Sequence, residues 1–97
     1  MTEIDIQDFL KLKSENIQII DIREEYEYEE GHISKLNIPM DKILESIEKI
    51  EQEKPVIIYC NSGRRGAAVV HILREKYLMK NVSNLLGGYQ AYIEQTQ

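Results

Sequence analysis

Apolar residues follow two rhythms along this chain. In residues 17–22, 56–59 and 82–86 they gather in short runs that read as strands, and the unbroken run 56–59 has the pattern of a strand buried on both faces. Between these runs they recur at helical spacing. Ile6, Phe9 and Leu10 fall at i, i+3 and i+4, and the pattern predicts a helix from Asp5 to about Lys13. Asp5 is its candidate cap, and Ile4 and Phe9 suit a hydrophobic staple around that cap. Residues 24–30 predict a short acidic helix with Tyr28 turned inward, Gly31 as its left-handed terminator and the glutamates as a solvated face. Residues 36–39 read as a short strand stopped by Pro39. Met40, Ile43, Leu44, Ile47 and Ile50 then mark an amphipathic helix over 40–51, with Glu45 and Lys49 as an outer ion pair. A further helix spans about 65–77, its stripe built on Val69, Ile72, Leu73 and Lys76. A turn at Gly87 and Gly88 leads into a closing helix over 89–95. This alternation predicts one small α/β domain over 1–97. Its sheet would be mostly parallel, of about four to five strands, with right-handed crossovers and helices on both faces.

Composition narrows the picture. Ninety-seven residues, 42% hydrophobic and 30% charged, make one core and little more. The net charge of −5 argues against general nucleic-acid binding. No apolar run approaches the ~18 residues of a membrane span, so no membrane partner is expected. The start of the chain is acidic rather than basic, unlike a secretory leader. A single cysteine excludes an internal disulfide and a cysteine-based zinc site, and suits a reducing cytoplasm. No metal or cofactor is called for.

That cysteine, Cys60, ends the most apolar strand and is followed by Asn61, Ser62, Gly63, Arg64 and Arg65, where a helical pattern opens. The carboxyl ends of parallel strands are where open α/β sheets place their ligands. A chain wrapping round Cys60 can aim the amides of residues 61–65 at one point and form an anion-binding nest. The helix start adds partial positive charge and the two arginines add full charge. The thiolate, the reactive form of a cysteine, is favoured in such surroundings. The plainer alternative is a small buried hydrophobe at a strand end. Small residues at Gly66, Ala67 and Ala68 would let the first helical turn sit close under the loop. Asp21 and Arg23 lie at the same edge of the sheet if the strands are parallel. They form either a structural polar clamp or a brace for the Cys60 loop. His32 suits a hydrogen-bonded structural role, and His71 falls too far along its helix to reach Cys60.

Four motifs together resemble the single-domain rhodaneses, a sulfurtransferase family, over roughly residues 5–92. Asp21-Ile22-Arg23-Glu24 is similar to the family's Asp-x-Arg-Glu. Gly31-His32-Ile33 with Asn37-Ile38-Pro39 resembles its Gly-His-Ile…Asn-Ile-Pro signature. Cys60-Asn61-Ser62-Gly63-Arg64-Arg65 resembles its Cys-x-Ser-Gly-x-Arg loop, and Gly87-Gly88 to Tyr92 its Gly-Gly…Ala-Trp ending. The resemblance implies that Cys60 takes a sulfane sulfur from thiosulfate or a persulfide and passes it to a thiophilic acceptor such as cyanide or a thiol, including a protein thiol. It implies that the amides of residues 61–65 hold the persulfide, that Arg65 closes the loop and that Arg64 helps at its rim. Departures are Asn61 where many members have a cation, Gly66 for a Ser or Thr, Ser34 for a proline and Tyr92 for a tryptophan. A cysteine phosphatase or arsenate reductase would need its arginine at the sixth position after the cysteine, which here is Gly66. A non-catalytic rhodanese-like binding or regulatory module is the other alternative, although such modules usually lose the cysteine that is present here.

Overall fold

The strand signals assemble into one parallel sheet. In the computed structural model, which describes residues 2–97, four strands stand in the order β1-β4-β3-β2: β1 (Glu3–Ile4), β2 (Gln18–Asp21), β3 (Val56–Tyr59) and β4 (Val82–Leu85). β3 is central, and in register Ile58 lies between Ile20 of β2 and Asn84 of β4. All four residues of β3 are buried, as an apolar run without alternation requires.

The pleat sends alternate residues to two cores. Val56, Ile58 and Cys60 join Ile20, Val82 and the apolar stripe of the helix that follows the Cys60 loop. Ile57 and Tyr59 join Ile6, Phe9 and Leu85 on the other face, with Tyr89 and Tyr92 against them. Helices α3 (Met40–Ile43) and α4 (Arg64–Glu75) cover the first face; α1 (Ile6–Leu12) and α5 (Gly88–Thr96) cover the second. The short acidic α2 (Glu25–Glu30) stands at the carboxyl edge of the sheet, beside the Cys60 loop.

Several local expectations need correction. β1 was not expected: two residues carry no periodicity, and they form a strand because Asn84 and Leu86 donate to the carbonyls of Thr2 and Ile4. Asp5 does cap α1, its Oδ1 accepting from the Asp8 amide at 2.8 Å, but Leu10 is exposed and only Ile6 and Phe9 are buried. Residues 36–39 form a single bridge between Asn37 and Asp21 rather than a strand. The helix expected over 40–51 stops at Ile43 and continues as a 3₁₀ segment, Leu44–Lys49, broken at Ser46 (φ −121°, ψ 29°). Its far end is tied to the sheet: Gln18 donates to Lys49 O and accepts from the Glu51 amide, and Asn81 holds the carbonyls of Glu51 and Lys54. The tighter 3₁₀ winding, with its longer rise per residue, accompanies that tether. It also leaves Leu44 exposed, and no Glu45–Lys49 ion pair forms among the described residues.

Helix α4 begins one residue earlier than expected and buries Gly66, Val69, Val70 and Leu73, so Val70 takes the place assigned to Ile72, and Lys76 is exposed. Past its end the Met79 amide donates back to Leu73 O at 3.0 Å, with both side chains in the core. The left-handed position is Leu78 (φ 56°), where glycine is the usual residue.

Candidate active site

Cys60 leaves β3 pointing toward the start of α4. The Gly63 amide donates to its Sγ at 3.1 Å and the Gly66 amide at 3.3 Å. The donors therefore reach one residue past the expected 61–65, and of that range Gly63 is the residue that donates. Gly63 makes the return possible: its φ of 100° is a left-handed value, and a Cβ there would stand 3.0 Å from the Gly87 nitrogen. With α4 starting at Arg64, the sulfur sits inside the first turn of a twelve-residue helix, at the positive end of its dipole. Cys60 has 0% exposure, while Asn61, Ser62 and Arg64 form an exposed rim. Gly66 is the small residue that lies close under the loop; Ala67 and Ala68 face outward.

A second helix start holds the loop from behind. The Tyr89 amide donates to Cys60 O at 2.8 Å and the Gln90 amide to Asn61 O at 3.0 Å. Gly87 and Gly88 make that approach with φ of 80° and 62°. A Cβ on Gly88 would lie 2.8 Å from the Asn61 carbonyl, so neither side chain nor ordinary backbone fits there.

Two carboxylate–guanidinium pairs flank this loop. Arg23 turns back on Asp21 as the strand ends: Nη2 meets Oδ2 at 2.8 Å, and the Arg23 amide meets Oδ1 at 2.9 Å. Arg23 also donates to Gly31 O and lies 4.3 Å from the centre of the Tyr89 ring. The pair thus touches the loop through Tyr89 rather than directly. Burial works against the Arg23 charge, yet the hydrogen bonds and charge of Asp21 outweigh it, and its pKa moves upward. Burial likewise pushes the Tyr59 hydroxyl well up; that hydroxyl accepts from the Ile33 amide at 2.9 Å.

Arg65 makes the other pair, bidentate with Glu27 at 3.0 and 3.1 Å. Hydrogen bonding from Arg65 holds the Glu27 carboxyl below the usual carboxylate range, and hydrogen bonding to Glu27 raises Arg65. The glutamates of α2 are therefore not simply a solvated face. Glu27 was legible in one respect: Glu24 and Glu27 have capping-box spacing, and Glu27 Oε1 accepts from the Glu24 amide at 3.0 Å. That bond aims Glu27 along the helix start instead of into water. Gly31 is not in the left-handed region either (φ 160°); it is glycine because a Cβ would stand 2.5 Å from the Tyr89 hydroxyl. Tyr28 is half-buried and stacks on exposed His32, whose Nδ1 bonds Tyr28 O at 2.9 Å. Arg64 makes no ion pair among the described residues, and His71 is exposed on the outside of α4. Beside the loop opens a cleft of about 310 Å³ whose lining includes Tyr26, Glu30, Asn61 and Tyr89. No group of side chains suited to a metal ion occurs among the described residues.

Comparison with known proteins agrees with this geometry. The family model described as the rhodanese-like domain matches residues 6–95. The thiosulfate sulfurtransferase GlpE of Coxiella burnetii is 38% identical over 82 residues, covering 84% of this chain and 76% of that protein. A rhodanese-related protein from Thermoplasma volcanium superposes with a TM-score of 0.83 at 26% identity, over 99% of this chain and 94% of the other. A rhodanese-like domain protein from Staphylococcus aureus does so with a TM-score of 0.83 at 28% identity, over 95% and 91%.

Proposed function

The chain belongs to the rhodanese-like family, and on that premise we propose that it is a sulfurtransferase carrying a sulfane sulfur as a persulfide on Cys60. The observation that carries the proposal is the pair of amides, Gly63 and Gly66, that converge on Sγ at the start of α4. In the first half-reaction the Cys60 thiolate attacks the outer sulfur of thiosulfate. The S–S bond breaks, sulfite leaves with the electron pair, and Cys60 holds a persulfide anion. In the second, cyanide or a thiolate attacks the terminal sulfur, and Cys60 departs as thiolate. A persulfide donor follows the same course with a thiolate as leaving group.

Charge stays on sulfur throughout, and backbone hydrogens already in place stabilise it without rearrangement. Arg65, held by Glu27, closes the loop and adds a cation near the sulfur; its interaction with Cys60 contributes to its raised pKa. Arg64 on the rim attracts an anionic donor. Because Cys60 is covered, the donor reaches it when the Asn61 and Ser62 rim moves aside. Asn61 supplies no cation, so a persulfide is the better donor and thiosulfate the poorer one. A protein thiol is a fitting acceptor, and the lone thiol suits a reducing cytoplasm.

Wild type and Cys60→Ser assayed on thiosulfate, a low-molecular-weight persulfide and a phosphate ester test the proposal. Sulfur transfer by the wild type only, with no phosphate release, is expected. Turnover of the phosphate ester, or transfer surviving in Cys60→Ser, would overturn it.

A further inference from the structure

Beside the loop lies a buried amide that the mechanism above does not use. Asn84 of β4 has 0% exposure and lies in register with Ile58, two residues before Cys60. Its Nδ2 donates to Gly63 O at 3.0 Å and to Glu3 Oε2 at 3.2 Å. Two acceptors on one atom fix the orientation of the amide, since only an NH₂ group can serve both. Its Oδ1 then faces the Cα of Gly66, so closely that a Cβ on Gly66 would collide with it. That Oδ1 has no hydrogen-bond partner among the described residues.

Besides Glu3, the Asn84 side chain meets Gly63 and Gly66, the two residues whose amides hold Cys60 Sγ. The bond to Gly63 O fixes the peptide that joins Gly63 to Arg64, and through the Gly63 backbone it limits where the preceding peptide, whose N–H meets the sulfur, can turn; contact at Gly66 fixes how near the first turn of α4 can come. A leucine of similar size would fill the same space with no unmatched polar atom, so burial alone does not account for an asparagine here. We propose that Asn84 is a positioning residue for sulfur transfer: it sets the direction of the Gly63 and Gly66 amides toward the Cys60 sulfur, and Glu3 of β1 holds it in that orientation. This rests on the reading of Cys60 as the sulfur carrier.

The readout is single-turnover sulfur uptake on Cys60 from a low-molecular-weight persulfide, followed by intact mass, with circular dichroism and thermal unfolding to establish folding. In Asn84→Leu the limiting rate is expected to fall tenfold or more, while the donor concentration giving half that rate stays within twofold. Asn84→Asp keeps the shape but, when ionised, cannot donate to Gly63 O. Burial and the nearby Glu3 carboxylate favour its protonated form, which can. Its limiting rate, relative to the wild type, should therefore recover as pH falls.

A folded Asn84→Leu with the wild-type rate would overturn the proposal. So would an Asn84→Asp rate that keeps a constant ratio to the wild type at every pH. If Asn84→Leu does not fold, the Asn84→Asp profile decides alone. Failure of both to fold would also overturn it, since Asn84 would then be a requirement of the fold rather than of the loop. Absence of sulfur uptake by the wild type would instead remove the Cys60 reading itself, a distinguishable result.

Discussion

The two ion pairs beside the Cys60 loop use the same chemistry in opposite settings. Asp21 and Arg23 are 0% and 3% exposed and closely tied: Asp21 accepts from the Arg23 amide, Nε and Nη2, and Nη2 also serves Gly31 O. Glu27 and Arg65 are 18% and 35% exposed and join two separate elements, α2 and α4. A charge taken wholly out of water cannot be left alone, so the first pair behaves as architecture. The second keeps water as an alternative partner, so it can open at modest cost. Burial, more than the identity of the paired groups, separates a clamp from a latch.

The largest effect should come from breaking the clamp. Arg23→Ala strands the Asp21 carboxylate and removes the cation over Tyr89; unfolding in urea should show a loss of about 3–5 kcal/mol. Replacing both partners, as Asp21→Leu with Arg23→Met, should recover much of that loss, because no lone charge remains. A double variant as unstable as Arg23→Ala would mean that the bonds to Gly31 and Tyr89, not the stranded charge, dominate.

Glu27→Gln tests the latch. At neutral pH it should cost only about 0.5–1 kcal/mol, the upper end for a half-exposed pair with bidentate geometry. The sign with pH follows from the lowered Glu27 pKa: its contribution is complete above the ordinary carboxylate range and is lost as pH falls through the lowered folded value. The stability gap between wild type and Glu27→Gln should therefore be constant near neutrality and close in acid. A gap that widens in acid would contradict the assigned partner.

A change of similar size and opposite sign lies outside both pairs. Leu78 holds a left-handed position while 74% exposed, so Leu78→Gly relieves backbone strain and gives up little burial. It should raise stability by about 0.5–1 kcal/mol in the same urea titration and leave sulfur transfer unchanged.

What could be read beforehand follows the same division. Residues 56–59 announced a buried central strand, because an apolar run without alternation suits a strand covered on both faces, and the loop after it was legible as one whose amides could turn toward Cys60. Asp21 and Arg23 were legible as a pair because a carboxylate at the end of a buried strand needs a partner nearby. The Glu27–Arg65 pair was not, since its members are 38 residues apart and only the packed fold brings them together. The same holds for Tyr89, whose amide meets Cys60 O only because β4 lies beside β3. The break at Ser46 also escaped notice, because Met40, Ile43, Leu44 and Ile47 repeat as a helix would and only the tether from Gln18 changes the winding.

The central claim is that the cup formed by Gly63 and Gly66 stabilises an anionic sulfur added to Cys60. Intact mass after incubation with a low-molecular-weight persulfide or thiosulfate, followed by desalting, tests it most directly. One additional sulfur is expected on the wild type, removed by cyanide, and none on Cys60→Ala. An unchanged wild-type mass with both donors, or equal sulfur uptake by Cys60→Ala, would contradict it.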